Sequence, residues 1–122
     1  MALKKVSNGD ASLTVSGASV TGAAIITSVP SIKVKVMGKG VYRGGVGFQI
    51  TAATRLTCVG TPPINGTISP TAVKTKADAQ EVIRDGDDET VTVNGIDSGT
   101  GLACSFSATV TINAGQDKVK AD

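Results

Sequence analysis

The chain has 122 residues, a formal net charge of +2 and only three aromatic side chains, Tyr42, Phe48 and Phe106, so it is one domain's worth of sequence with a thin aliphatic core. The charge balance lacks the basic excess of a nucleic-acid binder, and there is little aromatic surface for bases to stack on, so no nucleic-acid partner is expected. Histidine is absent, which removes Ser-His-Asp and Cys-His nucleophiles, and two cysteines cannot make a four-ligand zinc site within one chain.

Abundant Gly with recurrent Thr and Val is the composition of short β-strands joined by tight turns, and the expected class is all-β. Lys4 and Lys5 are followed by SNGDASLTVSG rather than an apolar run, so no signal peptide is expected and synthesis in a cytoplasm is. In chain order, ASLTVSG (11–17) alternates Leu13 and Val15 with Ser and Thr and predicts a half-buried strand. GAAII (22–26) is far too short to cross a membrane as a helix. SIKVKV (31–36) predicts a strand with Ile32, Val34 and Val36 on one face and Lys33 and Lys35 on the other. GVGFQITAAT, around Phe48 and Ile50, predicts a further strand, and CVGTPPINGTISPT, with its prolines and Asn65-Gly66, an exposed loop or hairpin connection. AVKTKA and ETVTVNG predict strands on either side of a charged turn, RDGDDE. GIDSGTG then predicts a hairpin whose second arm runs over 103–112. KADAQEVIRD alone would tolerate a helix, against its strand-like flanks.

For Cys58 and Cys104 the reading of two small buried hydrophobes leads in a reducing compartment; a disulfide and a metal shared between chains stay open beside it. DGDDE (85–89) gathers carboxylates, but not at the spacing of an EF-hand loop, and reads as a solvated turn; an enzyme is not expected and neither is a cofactor.

The chain repeats itself. Adding 41 carries Lys33 onto Lys74, Lys35 onto Lys76, Val41 onto Val82, Arg43 onto Arg84 and Gly45 onto Gly86, with Ile32 over Val73 and Ile50 over Val91. The units cover about 30–50 and 71–93, and DKVKAD at the end of a partial unit over 109–122 repeats the Lys-x-Lys spacing at Lys118 and Lys120. Such self-similarity means one supersecondary unit wound or stacked several times. Taken singly, alternating Lys and Val is what any protected edge strand looks like, and an Arg beside a turn commonly bonds turn carbonyls or nearby acids.

VMGKGVYRGG (36–45) resembles the repeat of the PAAR family, written there approximately V-N-G-K-P-A-A-R-x-G-D: Val36, Gly38, Lys39, Arg43 and Gly45 stand where the pattern has Val, Gly, Lys, Arg and Gly. IRDGD supplies the R-x-G-D ending with Arg84, Gly86 and Asp87, and the resemblance spans roughly residues 30–93. It implies a small cone- or prism-like cap of short β-hairpins, with a β-sandwich as the alternative. Such a cap sits as a monomer on the trimeric spike protein of a contractile phage tail baseplate, in the virion at the tail tip, where it touches the host cell envelope transiently. The repeat then implies that Lys33, Lys35, Arg43, Lys74, Lys76, Arg84, Lys118 and Lys120 meet the spike, each unit against one spike subunit. The family often holds a zinc near the point of the cone through His and Cys; without histidine that metal is not carried over. The PAA residues are replaced by Gly40, Val41 and Tyr42 in one unit and by Glu81, Val82 and Ile83 in the other. A capsid or tail-tube decoration or assembly protein is the alternative function.

Overall fold

A computed structural model describes residues 3–61, 63–72, 74–116 and 118–121; Val73, matched above with Ile32, lies outside them. Among the described residues there are strands and no helix. In chain order they are β1 (Lys4–Lys5), β2 (Ser12–Ser16), β3 (Val20–Ile26), β4 (Lys35–Val36), β5 (Lys39–Gly40), β6 (Val46–Arg55), β7 (Cys58–Gly60), β8 (Ile64–Ile68), β9 (Lys76–Ala77), β10 (Gln80–Glu81), β11 (Asp88–Asp97), β12 (Ala103–Asn113) and β13 (Lys120–Ala121).

The longer strands form a nearly closed, barrel-like antiparallel sheet. Its ladder runs β2-β12-β11-β7-β6-β3, and β8 continues the β7 side along β6. Period-two patterning drives it: Phe106, Ala108, Val110 and Ile112 of β12 are buried, whereas Ser105, Ser107 and Thr109 alternate with them toward solvent. In β6 the alternation slips. Val46, Phe48 and Ile50 are buried, then Thr51 and Ala52 are both exposed before Ala53 turns inward. The shift matches the irregularity opposite Ala23 and Ala24, where Ala23 pairs with Ala52 but Ala24 with Ile50, which leaves Thr51 as a bulge residue.

The expected loop at 58–71 contains two strands. Asn65-Gly66 is no turn but part of β8, opposite Gln49 and Phe48. A Cβ on Gly66 would stand 2.4 Å from Phe48 Cζ, so glycine is needed there for the ring to lie against the strand. Cys58 and Cys104 form a disulfide between β7 and β12, with Cα atoms 6.0 Å apart, which overturns the reading of two free buried thiols.

The strand expected over 31–36 is also shorter than its pattern. Ser31 Oγ accepts from the N–H groups of Lys33 and Val34, which bends the chain, and only Lys35–Val36 remains extended and paired. Ile32 is therefore 82% exposed rather than on an inner face.

The remaining strands make three two-stranded ladders, the hairpins β4-β5 and β9-β10 and the hairpin-like pair β1-β13. They enclose a second apolar cluster of Val6, Val41, Ala72, Ala77, Val82 and Ala121, with Val36 against it, separate from the barrel cluster built on Phe48, Ile50, Val93, Phe106 and Ile112. The barrel turns at 17–19, 56–57 and 98–102 lie at the other end of the long strands.

Candidate functional site

The three hairpins share one register. Lys35 pairs with Gly40 and Val36 with Lys39; Lys76 pairs with Glu81 and Ala77 with Gln80; Lys120 pairs with Lys5 and Ala121 with Lys4. Two are closed by two-residue turns with both φ values positive, 54° and 81° at Met37 and Gly38, 51° and 65° at Asp78 and Ala79, the handedness that suits a twisted hairpin. The third brings together the first and last described segments of the chain, so Lys4–Asp10 belongs to the unit that ends in Lys118–Ala121.

Their central residues close a ring. Ser7 N–H donates to Ile83 O (2.9 Å), Ile83 N–H to Tyr42 O (3.0 Å), and Tyr42 N–H to Ser7 O (3.3 Å). The flanking bridges run the same way round: Val6 with Arg84, Val82 with Arg43, and Val41 with Asn8. One step outward, Val41, Val82 and Val6 donate their N–H groups to Val34, Thr75 and Val119. These sets are related by a pseudo-threefold axis generated within one chain. Alternation along each ring strand joins the two cores, since Val6, Val41 and Val82 belong to the hairpin cluster while Tyr42 and Ile83 belong to the barrel cluster. Burial also pushes the Tyr42 hydroxyl pKa up.

Side chains repeat the cycle. Asn8 Nδ2 donates to Val36 O (2.9 Å), and Arg84 Nη1 to Ala121 O (3.4 Å), each reaching the hairpin of the next unit. Arg43, in the same position, reaches Asp78 Oδ2 with Nε at 3.0 Å and Val29 O with Nη1. The Ser31 hydroxyl and this pair hold the Asp78 carboxyl below the usual range. Where the first unit uses Ser31 Oγ to bend the chain before Lys-x-Lys, the third uses Gln116 Oε1, which accepts from the N–H groups of Lys118 and Val119.

Lys33, Lys74 and Lys118 thus occupy equivalent bends, two residues ahead of Lys35, Lys76 and Lys120 in equivalent strands, and all six are exposed. Arg43 is partly covered and engaged with Asp78. Arg84 is only 7% exposed, and its Nη2 donates to Thr71 Oγ1, so its side chain braces the interior rather than reaching outward. The R-x-G-D spacing has a local structural reason. Asp87 Oδ2 accepts the Arg84 N–H, Asp87 N–H donates to Arg84 O, Gly86 sits at φ 90°, and Thr71 Oγ1 donates to Asp87 Oδ1. Asn8 and Ala11 repeat that backbone bond in the unit begun by the N-terminal segment.

The parts missed in sequence were Lys4–Asp10, Asn8 and Gln116. A faint signal existed, because Lys4, Val6 and Gly9 fall on Lys39, Val41 and Gly44 when KKVSNG is laid on KGVYRG. Among the described residues no group of three or more His, Cys, Asp or Glu side chains could hold a metal ion. An open groove beside the ring is lined by Lys5, Asp85, Asn113 and Gln116. No protein-family model matches the chain, and no curated protein or solved structure does either.

Proposed function

We propose that this protein is a structural cap that seats one chain on the threefold end of a trimeric spike, as a PAAR-like tip of a contractile tail does. The observation that carries this reading is the closed ring of backbone hydrogen bonds through Ser7, Ile83 and Tyr42. A single chain that presents the same hairpin three times around an axis offers each subunit of a homotrimer an equivalent contact; a chain without that internal repeat would satisfy one subunit and mismatch two. Two cores coupled through the ring, without long loops, also give a body suited to bearing load along the axis.

Immunogold labelling and quantitative mass spectrometry of purified particles test the reading. One copy per particle, with label confined to the distal tail, is the expected result. Tens to hundreds of copies along the tube or head would establish a decoration protein instead.

A further inference from the structure

Every lysine of the chain lies in residues 4–5, 33–39, 74–76 or 118–120, that is, in the three hairpins and the bends that lead into them. The barrel sheet contains none and carries Asp88, Glu89 and Asp97 against Arg55. Outside that sheet eleven cations stand against seven acids, among them Glu81 opposite Lys76, so the positive excess of a nearly balanced molecule falls at the hairpin end. A second feature coincides with it. Each hairpin sheet is two-stranded, so among the described residues the outer edges of β4, β9 and β13 have no strand partner. A third is the half-exposed apolar residue between two of the lysine pairs, Val34 at 37% and Val119 at 39% exposure.

We infer that the hairpin end is the docking face, and that its partner is a homotrimer whose subunits each present one acidic, extended segment to one Lys-x-Lys arm. This rests on the spike-cap reading and adds the face and the chemistry of the partner. Open strand edges accept extended segments by main-chain pairing, while side chains on alternate positions supply selectivity. In each arm one lysine in the bend and one at the start of the short strand flank Val34, Thr75 or Val119 and favour carboxylates on the incoming segment, and Val34 and Val119 favour an apolar residue between them. A flat anionic membrane satisfies the charge but has no use for three open edges in one register. A trimer uses all three at once, and linked contacts multiply in affinity.

The probe is a trimeric coiled coil carrying on each chain an extended peptide of alternating Glu and Val, compared with the same peptide as a monomer and with vesicles of phosphatidylglycerol and phosphatidylcholine. The full chain is expected to bind the trimer one to one and at least about 100-fold more tightly than the monomeric peptide. Charge reversal of a single arm, Lys33→Glu with Lys35→Glu, Lys74→Glu with Lys76→Glu, or Lys118→Glu with Lys120→Glu, is expected to weaken trimer binding by about tenfold. The loss should be similar for each arm, in variants whose thermal melts match the parent. Equal binding of monomer and trimer, an arm whose reversal changes nothing, or charge-dependent binding to vesicles without binding to the trimer overturns the inference. Label at the distal tail together with any of these results leaves the cap reading standing and removes only this face; label elsewhere on the particle removes both.

Discussion

Asp87 and Asp97 show how single carboxylates hold turns in this chain. Asp97 Oδ2 accepts from Thr57 Oγ1, and Asp97 Oδ1 accepts from the N–H groups of Gly99 and Thr100, which tethers the β6-β7 turn to the β11-β12 turn. The Thr57 hydroxyl, followed by the two amides, holds its pKa below the ordinary 3.8. A lowered folded-state value means that this support is present above the unfolded pKa and is lost as pH falls through the folded one. Urea melts at neutral pH should therefore show Asp97→Asn less stable than the parent, and the gap should narrow as pH falls below 3.8. A gap that does not narrow on acidification would exclude the charge as its source. Asp87 is buried, and its carboxylate serves the Arg84 amide and the Thr71 hydroxyl. Its replacement by Ala leaves both donors unmet, so chemical denaturation should show a loss of about 2–3 kcal/mol, whereas an exposed change such as Thr90→Ala should stay within about 0.5 kcal/mol.

At the scale of elements, hairpin chemistry and the disulfide divide the work. The β9-β10 turn places Ala79 at φ 65°, where a Cβ is crowded, while the equivalent position in β4-β5 is Gly38. Ala79→Gly is expected to stabilise the protein by roughly 0.5–1 kcal/mol despite the greater freedom of glycine in the unfolded chain, and a lower melting temperature would count against the assigned turn. The disulfide closes a separation of 46 residues and ties two barrel hairpins together at the end away from the lysines. Cys58→Ala with Cys104→Ala should lower stability by about 2–4 kcal/mol, measured in denaturant, and leave binding by the hairpin end unaltered. Strands with strict alternation, such as 88–97 and 103–113, could be anticipated because one wet face and one dry face write a period of two into the residues. The segment over 58–68 could not. Its prolines and Asn-Gly have the residue types of a turn, and β7 and β8 within it are strands only because β11 and β6 stand beside them to receive their hydrogen bonds.

For the whole molecule the ring is the organising feature, and it requires residues from both ends of the described chain. Deletion of residues 118–122 removes the Val119 carbonyl that accepts the Val6 N–H, the strand partner of β1, and the Ala121 carbonyl reached by Arg84. Arg84 would lose one of its acceptors. Such a chain should lose at least about 3 kcal/mol, read as a shifted denaturation midpoint, and unaltered stability would mean that the third hairpin contributes no support to the other two.

The sequence by itself determined the all-β class, the absence of any histidine-based chemistry, the long strands and two of the three repeated units, because alternation and a fixed 41-residue offset are properties of the chain read in one dimension. Only the tertiary structure decided that the cysteines are joined, that Arg84 turns inward, that Ile32 faces solvent and that Lys4–Asp10 completes the third unit. Each of these depends on which distant segment lies alongside. The third unit is assembled from segments more than a hundred residues apart: the repeat along the chain marked its Lys-x-Lys half at 118–120, and only the meeting of the two ends supplied the half that closes the ring.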